Sequence, residues 1–280
     1  MGPAEMKISA SDGNELQGYS WVPKSEPKAV VCLIHGLGEH AGRYQWVADF
    51  LNQNGLALYS YDQRGHGRSP GKRGHARYES LLEDIESLLM LARVNHLDAP
   101  IFLYGHSWGG NLVSNFILQK PTNELTAAVL TSPWLKLSHE PNGFQLKLAK
   151  LMAKIFPSFT QSNGLDIADL SRDPEVGKAY KNDPLVHDLI SAGLFIEVQK
   201  AGIRAIELAG HLKLPTLVVH GSDDQITSSN ASLEFSQAGN SMIKLHQWPD
   251  MRHETHNEIG KEEVLNYTLS WMNDLLSTAT

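Results

Sequence analysis

Short apolar segments recur along the chain, and each one ends near a residue that favours a turn. Every segment is seven or eight residues long and rich in Val, Ile, Leu or Tyr. Continuous apolar runs of this length are typical of strands that are covered on both faces of a sheet. The predicted strands are 29–36, 56–62, 101–107, 127–133, 214–221 and 243–249.

Amphipathic helices are predicted between these strands. Residues 77–94 place Leu81, Ile85 and Leu88 at helical spacing, and residues 258–276 form a closing helix with apolar residues on one face. Strands that alternate with helices indicate βαβ units and a mostly parallel sheet with helices on both faces. The first 22 residues alternate between apolar and polar positions, which predicts two short strands around a turn. The predicted fold class is therefore α/β.

One stretch interrupts the alternation of strands and helices. Between residues 134 and 212 no strand is predicted, whereas 144–159 and 187–208 have helical spacing. This pattern indicates a helical insertion of roughly 75 residues between two strands of the sheet. The chain is therefore expected to comprise a first core segment, an inserted helical cap and a second core segment. Their predicted limits are 1–133, 134–212 and 213–280.

Length, charge and composition narrow the functional classes. The 280 residues are enough for one large core with an insertion, so stability requires neither disulfides nor a metal. The net charge of −7 argues against a nucleic-acid partner, which needs a basic face. A single cysteine, Cys32, excludes a disulfide framework. The 13 histidines show no metal-binding spacing such as HExxH, so no metal site is predicted.

No segment predicts export or insertion into a membrane. The first residues lack the basic start and apolar run of a secretory signal. The longest apolar runs are far shorter than the ~20 residues that a membrane helix needs. We therefore expect a cytoplasmic protein, with peripheral attachment to a membrane left open.

Residues 105–109, Gly-His-Ser-Trp-Gly, follow a predicted strand and precede a predicted helix. A sharp turn between strand and helix lifts the middle serine above the sheet, and Gly105 and Gly109 leave room for the two elements to approach closely. This context favours Ser107 as a nucleophile. The alternative is a glycine-rich connection in which the serine has no chemical role.

A serine nucleophile requires a base, and the base requires a group that orients it. Both should follow the serine along the chain, the acid first and the histidine second, each after a later strand. Asp223 and Asp224 come after one such strand, and His253 and His256 come after the next. Spacing alone leaves both members of each pair open.

A tetrahedral oxyanion needs two backbone N–H donors. The residue after the nucleophile supplies one donor, here Trp108, and the loop after an earlier strand supplies the other. The segment 32–40, CLIHGLGEH, forms that loop, in which Leu37 follows His35 and Gly36. Leu37 and Trp108 are therefore the predicted oxyanion donors.

Six segments carry a family resemblance. They are HGLGEH at 35–40, YDQRGHGRSPGKRGH at 61–75, GHSWGG at 105–110, YKNDPLV at 180–186, HGSDDQI at 220–226 and RHETHNE at 252–258. Together they resemble the α/β-hydrolase family, and within it the branch of monoacylglycerol lipases and lysophospholipases. The resemblance covers nearly the whole chain, including the cap. It implies Ser107 as nucleophile, Asp224 as the orienting acid, His253 as the base and His256 as a non-catalytic histidine.

One residue near the predicted nucleophile departs from this branch. Trp108 stands where methionine is commoner, so a different side chain is expected to line the pocket and substrate preference stays open. Three other histidines lie at strand ends near the predicted site, and structural hydrogen bonding is expected of them. They are His35, His106 and His220.

The predicted function is hydrolysis of lipid monoesters, such as monoacylglycerol or lysophospholipid, through an acyl-enzyme and without a cofactor. Four alternatives share the fold: a broad short-chain esterase, a thioesterase, an aminopeptidase and a binding module that has lost activity. Aminopeptidases of this fold resemble HGGPG and GGSWG at the loops where this chain has HGLGEH and GHSWGG. The small-molecule ester is the only partner predicted.

The apolar stripe of the predicted helix at 144–159 is compatible with three roles. It could pack over the pocket as the wall of an acyl tunnel, form the core of the cap, or face a membrane. The sequence favours the first role, and Lys147, Lys150 and Lys154, which fall mostly off the stripe, support the third. Transient contact between the cap and a membrane surface therefore stays open.

Overall fold

Strands and helices alternate along residues 2–278, the part of the chain that the computed structural model describes. The strands are β1 Ala4–Ser9, β2 Glu15–Trp21, β3 Ala29–Ile34, β4 Leu56–Tyr61, β5 Ile101–His106, β6 Ala127–Thr131, β7 Thr160–Ser162, β8 Leu189–Ser191, β9 Thr216–Gly221 and β10 Ile243–Trp248. The α-helices are α1 Gln45–Gln53, α2 Tyr78–Asn95, α3 Trp108–Gln119, α4 Gly143–Ile155, α5 Pro174–Asn182, α6 Ala192–Leu208, α7 Ser229–Ala238 and α8 Lys261–Thr278.

Within the described range, eight strands form one sheet in the order β1-β2-β4-β3-β5-β6-β9-β10. The β1–β2 and β2–β4 pairs are antiparallel, and all the other neighbouring pairs are parallel. The predicted mostly parallel sheet is therefore confirmed, as are the two short strands at the start of the chain. In a sheet of this kind, ligands bind beyond the carboxyl ends of the parallel strands.

The core lies in two layers, one on each face of this sheet. All six residues of β3 are buried, and alternate residues point to opposite faces. Val30 and Cys32 pack with helices α2, α3, α6 and α7, whereas Val31 and Leu33 pack with α1 and α8. This double burial explains why the strands read as continuous apolar runs.

The segment between β6 and β9 differs from its prediction in two places. Residues 134–212 do contain strands, because β7 and β8 form a small antiparallel pair, and β8 lies inside the helix predicted at 187–208. Strands of three residues are too short to produce a periodic pattern. The helix predicted at 144–159 ends at Ile155, because Pro157 lacks an N–H group and disfavours helical geometry in the residue before it.

The division of the chain into segments 1–133, 134–212 and 213–280 stays a prediction. The first segment begins with Met1 and the last one ends with residues 279–280, which lie outside the described residues. In the described part of the middle segment, α4 and α6 pack against each other.

A strained turn joins β5 to α3. Ser107 lies between them with φ 53° and ψ −117°, a conformation that residues with a side chain rarely adopt. A Cβ atom at Gly109 would lie 2.1 Å from the Ile34 carbonyl oxygen, and one at Gly105 would lie 2.5 Å from the Gly109 carbonyl oxygen. The tight packing of strand and helix therefore requires both glycines and holds Ser107 in its strained geometry.

We expect Ser107→Gly to be more stable than Ser107→Ala by about 1 kcal/mol. Both variants lose the hydroxyl group, but only glycine relieves the backbone strain, which costs of order 1–3 kcal/mol at such positions. The strain energy that glycine relieves exceeds the roughly 0.5–1 kcal/mol of stability that glycine loses because its backbone has more freedom in the unfolded chain. Urea unfolding of the two variants measures the difference. Equal stability, or a less stable glycine variant, would contradict the strain.

Candidate active site

The strained turn places the Ser107 hydroxyl beside an imidazole. Ser107 Oγ lies 2.9 Å from Nε2 of His253, which follows β10 in the chain. His253 is 3% exposed and Ser107 is 7% exposed, so little water competes for this hydrogen bond. His256, the other histidine of the same loop, is also buried, but its ring stacks on Tyr44 at 5.0 Å between centroids. The hydrogen bond to Ser107 comes from His253.

The same imidazole binds a carboxylate through its second nitrogen. His253 Nδ1 lies 2.7 Å from Oδ2 of Asp224, in the turn after β9. Asp223, one residue earlier, is exposed and accepts a hydrogen bond from the side chain of Gln225. An ionised carboxylate only accepts hydrogen bonds, so Nδ1 carries the proton and Nε2 is free to accept the Ser107 proton. Two hydrogen bonds thus connect Ser107 to His253 and His253 to Asp224.

Backbone amides hold the Asp224 carboxylate on its other side. Oδ1 accepts from the N–H groups of Ile226 at 2.8 Å and Thr227 at 3.0 Å. Burial would raise the pKa of Asp224, but the neighbouring His253 and the hydrogen bonds from His220 and His253 outweigh burial and hold that pKa far below its ordinary value. The carboxylate is therefore anionic at neutral pH.

Burial and this carboxylate act in opposite directions on His253. Burial alone would lower the pKa of His253, because it disfavours the charged imidazolium. The charge and the hydrogen bond of Asp224 outweigh burial, so the pKa of His253 is raised above its ordinary value. The arrangement therefore stabilises a proton taken up by His253.

Leu37 and Trp108, the predicted oxyanion donors, flank the serine. The N–H of Trp108 begins α3 and so has no partner within that helix. Leu37 lines the cavity in front of Ser107. The expectation that the Trp108 side chain lines this cavity is wrong. Its side chain is fully buried and packs on His66 at 5.1 Å between ring centroids.

A buried ionic cluster supports the loop that contains Leu37, and the sequence analysis missed it. Glu39 Oε1 accepts hydrogen bonds from the Gly36 N–H at 2.6 Å and from the Tyr44 hydroxyl at 2.7 Å. Arg43 binds the other oxygen of Glu39 at 2.5 Å and both oxygens of Glu254 at 2.7 and 2.8 Å. Since Glu254 follows His253, the cluster connects the loop of Leu37 to the loop of His253.

Arg43 keeps the Glu254 carboxylate of this cluster ionised. Burial would raise the pKa of Glu254, but Arg43 outweighs it and lowers that pKa to about 2. The only sequence signals were Glu39 inside HGLGEH and Glu254 next to His253. Neither signal indicated Arg43 as the shared partner, because Arg43 and Glu254 are 211 residues apart in the chain.

The histidines at strand ends make the structural hydrogen bonds predicted for them. His35 Nδ1 lies 2.7 Å from the Gly36 carbonyl oxygen, and His35 Nε2 accepts from the Gln63 N–H at 2.9 Å. His106 Nδ1 lies 3.1 Å from the Thr131 hydroxyl. Burial lowers the pKa of His35 to about 3, so this histidine stays neutral while it orders the loop.

Two adjoining cavities lie in front of the serine. The first has a volume of about 310 Å³ and is lined by Ser107 and His253, with Glu39 and Arg43 among its polar residues. The second has a volume of about 650 Å³ and is lined largely by apolar side chains of the inserted segment. Residues shared by the two linings are Leu137, His139 and Asn163. A ligand with a polar end and an apolar end fits this combination.

Some apolar side chains of α4 line the second cavity, and others are exposed on the outer surface. Met152 and Leu148 line the cavity, whereas Phe144 and Ile155 are 77% and 68% exposed. None of the residues Gly143–Ile155 is buried, so the interpretation of this stripe as the core of the cap is wrong. The roles as cavity wall and as outward apolar face remain.

Neither a metal centre nor a membrane-spanning helix is evident between residues 2 and 278. No group of three or more His, Cys, Asp or Glu side chains in this range is arranged to hold a metal ion. No helix in the same range is both long enough and apolar enough to cross a membrane.

Comparison with known proteins gives the family. A family model described as serine aminopeptidase, S33 (Hydrolase_4) matches residues 25–260. A monoacylglycerol lipase of Mycolicibacterium smegmatis is 36% identical over 255 residues, which cover 90% of this chain and 90% of that protein. An uncharacterized abhydrolase domain-containing protein of Dictyostelium discoideum is 38% identical over 274 residues, and the chain spans 29% of that relative's length.

Solved structures include a relative with the same fold. The crystal structure of Paleococcus ferrophilus monoacylglycerol lipase is 34% identical to this chain, with a TM-score of 0.83. The match covers 94% of this chain and 99% of that one. The predicted α/β-hydrolase fold is therefore confirmed. The chain belongs to the α/β-hydrolase family of serine ester hydrolases, in the branch that includes the monoacylglycerol lipases.

Proposed function

We propose that the chain hydrolyses lipid monoesters, such as monoacylglycerols or lysophospholipids, with Ser107 as nucleophile, His253 as base and Asp224 as the acid that orients the base. One observation carries the proposal: the hydrogen-bonded series of these residues opens onto a cavity that adjoins a larger apolar one. Similarity to a monoacylglycerol lipase supports the substrate class.

The proposed reaction has two halves, and His253 moves a proton in each. Ser107 Oγ attacks the ester carbonyl carbon as its proton passes to His253 Nε2. The bond from carbonyl carbon to alcohol oxygen then breaks, and His253 gives the proton to the departing alcohol. Water next attacks the acyl carbon and loses a proton to His253. The bond from that carbon to Ser107 Oγ then breaks, His253 returns the proton to Ser107, and the fatty acid leaves. Every step is an acyl or proton transfer, so the scheme requires no cofactor.

The acid in this scheme stays ionised throughout. Asp224 keeps the proton of neutral His253 on Nδ1 and stabilises the imidazolium that forms after Ser107 loses its proton. His253 must be neutral before it can accept that proton. Because its pKa is raised, we expect activity to disappear as the pH falls through that raised pKa.

Backbone N–H groups of Leu37 and Trp108 are the proposed oxyanion donors. Backbone donors that are already in place stabilise developing charge without reorganisation, and one such donor typically contributes about 10²–10³ in rate. The hydrogen bond from the Gly36 N–H to Glu39 supports this role, because it fixes the peptide just before Leu37.

The adjoining apolar cavity is the proposed acyl site. We propose that the inserted segment 134–212 acts as a cap whose residues Leu148, Met152 and Phe195 enclose the acyl chain. A volume of about 650 Å³ exceeds what a very short acyl group would fill. This argues against a short-chain esterase or a thioesterase for small acyl groups.

The remaining rivals have less support. Aminopeptidases of this fold resemble HGGPG and GGSWG at two loops, whereas this chain has HGLGEH and GHSWGG there, which argues against an aminopeptidase. A binding module without activity would have no need for the hydrogen-bonded series that ends at Ser107.

We expect Ser107→Ala to abolish ester hydrolysis and labelling by a fluorophosphonate, because both require the serine oxygen.

Wild-type activity should rise with acyl length across p-nitrophenyl esters and monoacylglycerols, since longer chains fill the apolar cavity. Aminoacyl-p-nitroanilides test the aminopeptidase. Retained hydrolysis in the alanine variant would refute the nucleophile, and a sharp preference for very short acyl groups would refute the lipid substrate.

The outward face of α4 fits contact with a membrane surface. Phe144, Leu151 and Ile155 are all more than half exposed, and Lys147 and Lys154 lie exposed beside them. An apolar stripe flanked by lysines favours the interface of an anionic membrane. We propose that this face brings the second cavity to the lipid from which the substrate comes.

The double variant Phe144→Asp with Ile155→Asp should reduce hydrolysis of monoacylglycerol in anionic vesicles by about tenfold, because two exposed apolar side chains no longer enter the lipid. Hydrolysis of a soluble ester should stay unchanged. Met90→Asp is the matched control, since Met90 is 68% exposed on α2. An equal loss in the control, or no loss in the double variant, would contradict membrane contact through α4.

A further inference from the structure

His220 is a buried histidine that the proposed reaction does not use. It is the fifth residue of β9 and is fully buried. Its Nε2 lies 3.0 Å from Oδ2 of Asp224, the same carboxylate oxygen that binds His253. Its Nδ1 lies 2.8 Å from the hydroxyl of Ser232 on α7. Two imidazoles therefore meet at one carboxylate oxygen.

The partners of His220 determine where its protons lie. The atoms nearest to Nε2 are Asp224 Oδ2 and the Thr227 carbonyl oxygen, at 3.0 and 3.2 Å. Both are acceptors, so Nε2 must carry a proton and donate it. In neutral His220, Nδ1 then accepts the proton of the Ser232 hydroxyl. The series runs from Ser232 through His220 to Asp224.

Hydrogen-bond donors occupy most of the acceptor sites of the Asp224 carboxylate. The carboxylate has about four sites for accepting hydrogen bonds, and two backbone N–H groups occupy Oδ1. Oδ2 accepts from His253 and His220. The Thr227 hydroxyl lies 2.9 Å from Oδ2 and 3.0 Å from the Ser132 carbonyl oxygen, so its single proton is shared between these two acceptors. Since the side chain of Asp224 is inaccessible to water, solvent cannot replace a donor that is lost.

We propose that His220 is a positioning residue, which orients Asp224 toward His253 and shares the charge of its Oδ2 atom. This inference rests on the proposed function of Ser107, Asp224 and His253. A donor on the far side of the carboxylate fixes its rotation and draws electron density away from the bond to His253. His220 itself touches neither the substrate cavity nor Ser107.

Loss of the His220 donor should change the protonation of His253 in a definite direction. With one donor fewer, Oδ2 carries more negative charge toward His253 and stabilises the imidazolium. The pKa of His253 then rises, and the neutral base is lost at a higher pH. The other titratable groups around His253 include His106, at 4.9 Å between ring centroids, His256, Glu254 and Glu39, and none of them is altered.

Two amide variants test the two ring nitrogens of His220 separately. The side-chain amide of His220→Asn lies near the position of Nδ1, so it keeps a partner for Ser232 and loses the donor to Asp224. The amide nitrogen of His220→Gln lies near the position of Nε2, so it keeps that donor. We expect the asparagine variant to lose about tenfold in kcat with KM within about twofold of wild type. The glutamine variant should recover most of the rate.

The pH profile distinguishes positioning from structural support. The acid limb of kcat/KM should move to higher pH by about half a unit in His220→Asn and should stay at the wild-type position in His220→Gln. His96→Leu is the control, because His96 binds Tyr59 at 3.0 Å far from the site, and its acid limb should not move. Thermal unfolding of each variant shows that the folded protein is being assayed.

Two results would overturn the proposal. An acid limb that stays in place or moves to lower pH in His220→Asn would show that His220 does not act through Asp224. Equal losses in both amide variants would show that the imidazole only supports the fold. Failure of the proposed function appears separately, because Ser107→Ala would then retain activity whatever His220 does.

Discussion

The proposed chemistry depends on one carboxylate that stays charged away from water. Asp224 is 5% exposed, and burial of an anion is costly unless donors surround it. Its donors come from the turn after β9, from His220 within β9 and from His253 after β10. Parallel strands end at the same edge of the sheet, so the pairing of β9 with β10 brings these groups together. The raised pKa of His253 and its single available tautomer both follow from this carboxylate.

A second ionic group couples the two loops that face each other across the cavity. Arg43 binds Glu39 in the loop of Leu37 and Glu254 in the loop of His253, and its guanidinium lies 4.8 Å from the ring of Tyr180 in the inserted segment. Further links tie the insertion to the core, since the Glu254 N–H donates to the Leu170 carbonyl at 2.8 Å. The insertion therefore does more than cover the cavity, because it also contacts the loops that carry the proposed reacting groups.

Much of the fold could be predicted, and the misses have a physical cause. The long strands and helices repeat their apolar positions often enough to be recognised, as β3 and α2 illustrate. β7 and β8 have three residues each, so no period develops, and their pairing depends on the antiparallel approach of distant segments. The strained turn at Ser107 was predictable because glycines at both sides are a local requirement. The burial of Trp108 was not, because it depends on what packs beneath the start of α3.

By itself, the sequence determined the alternation of strands and helices, the strand–turn–helix setting of Ser107 and the chain order of acid and base. These features depend on neighbours within a few residues, so local periodicity and short motifs contain them. The family resemblance implied Asp224, and the structure places it against His253. Only the tertiary structure decided that Arg43 pairs with Glu254 and that His220 shares the Asp224 carboxylate. The partner of a buried charge is the group that the folded chain brings within hydrogen-bonding distance, and residues far apart in sequence acquire that distance only when the whole sheet has formed.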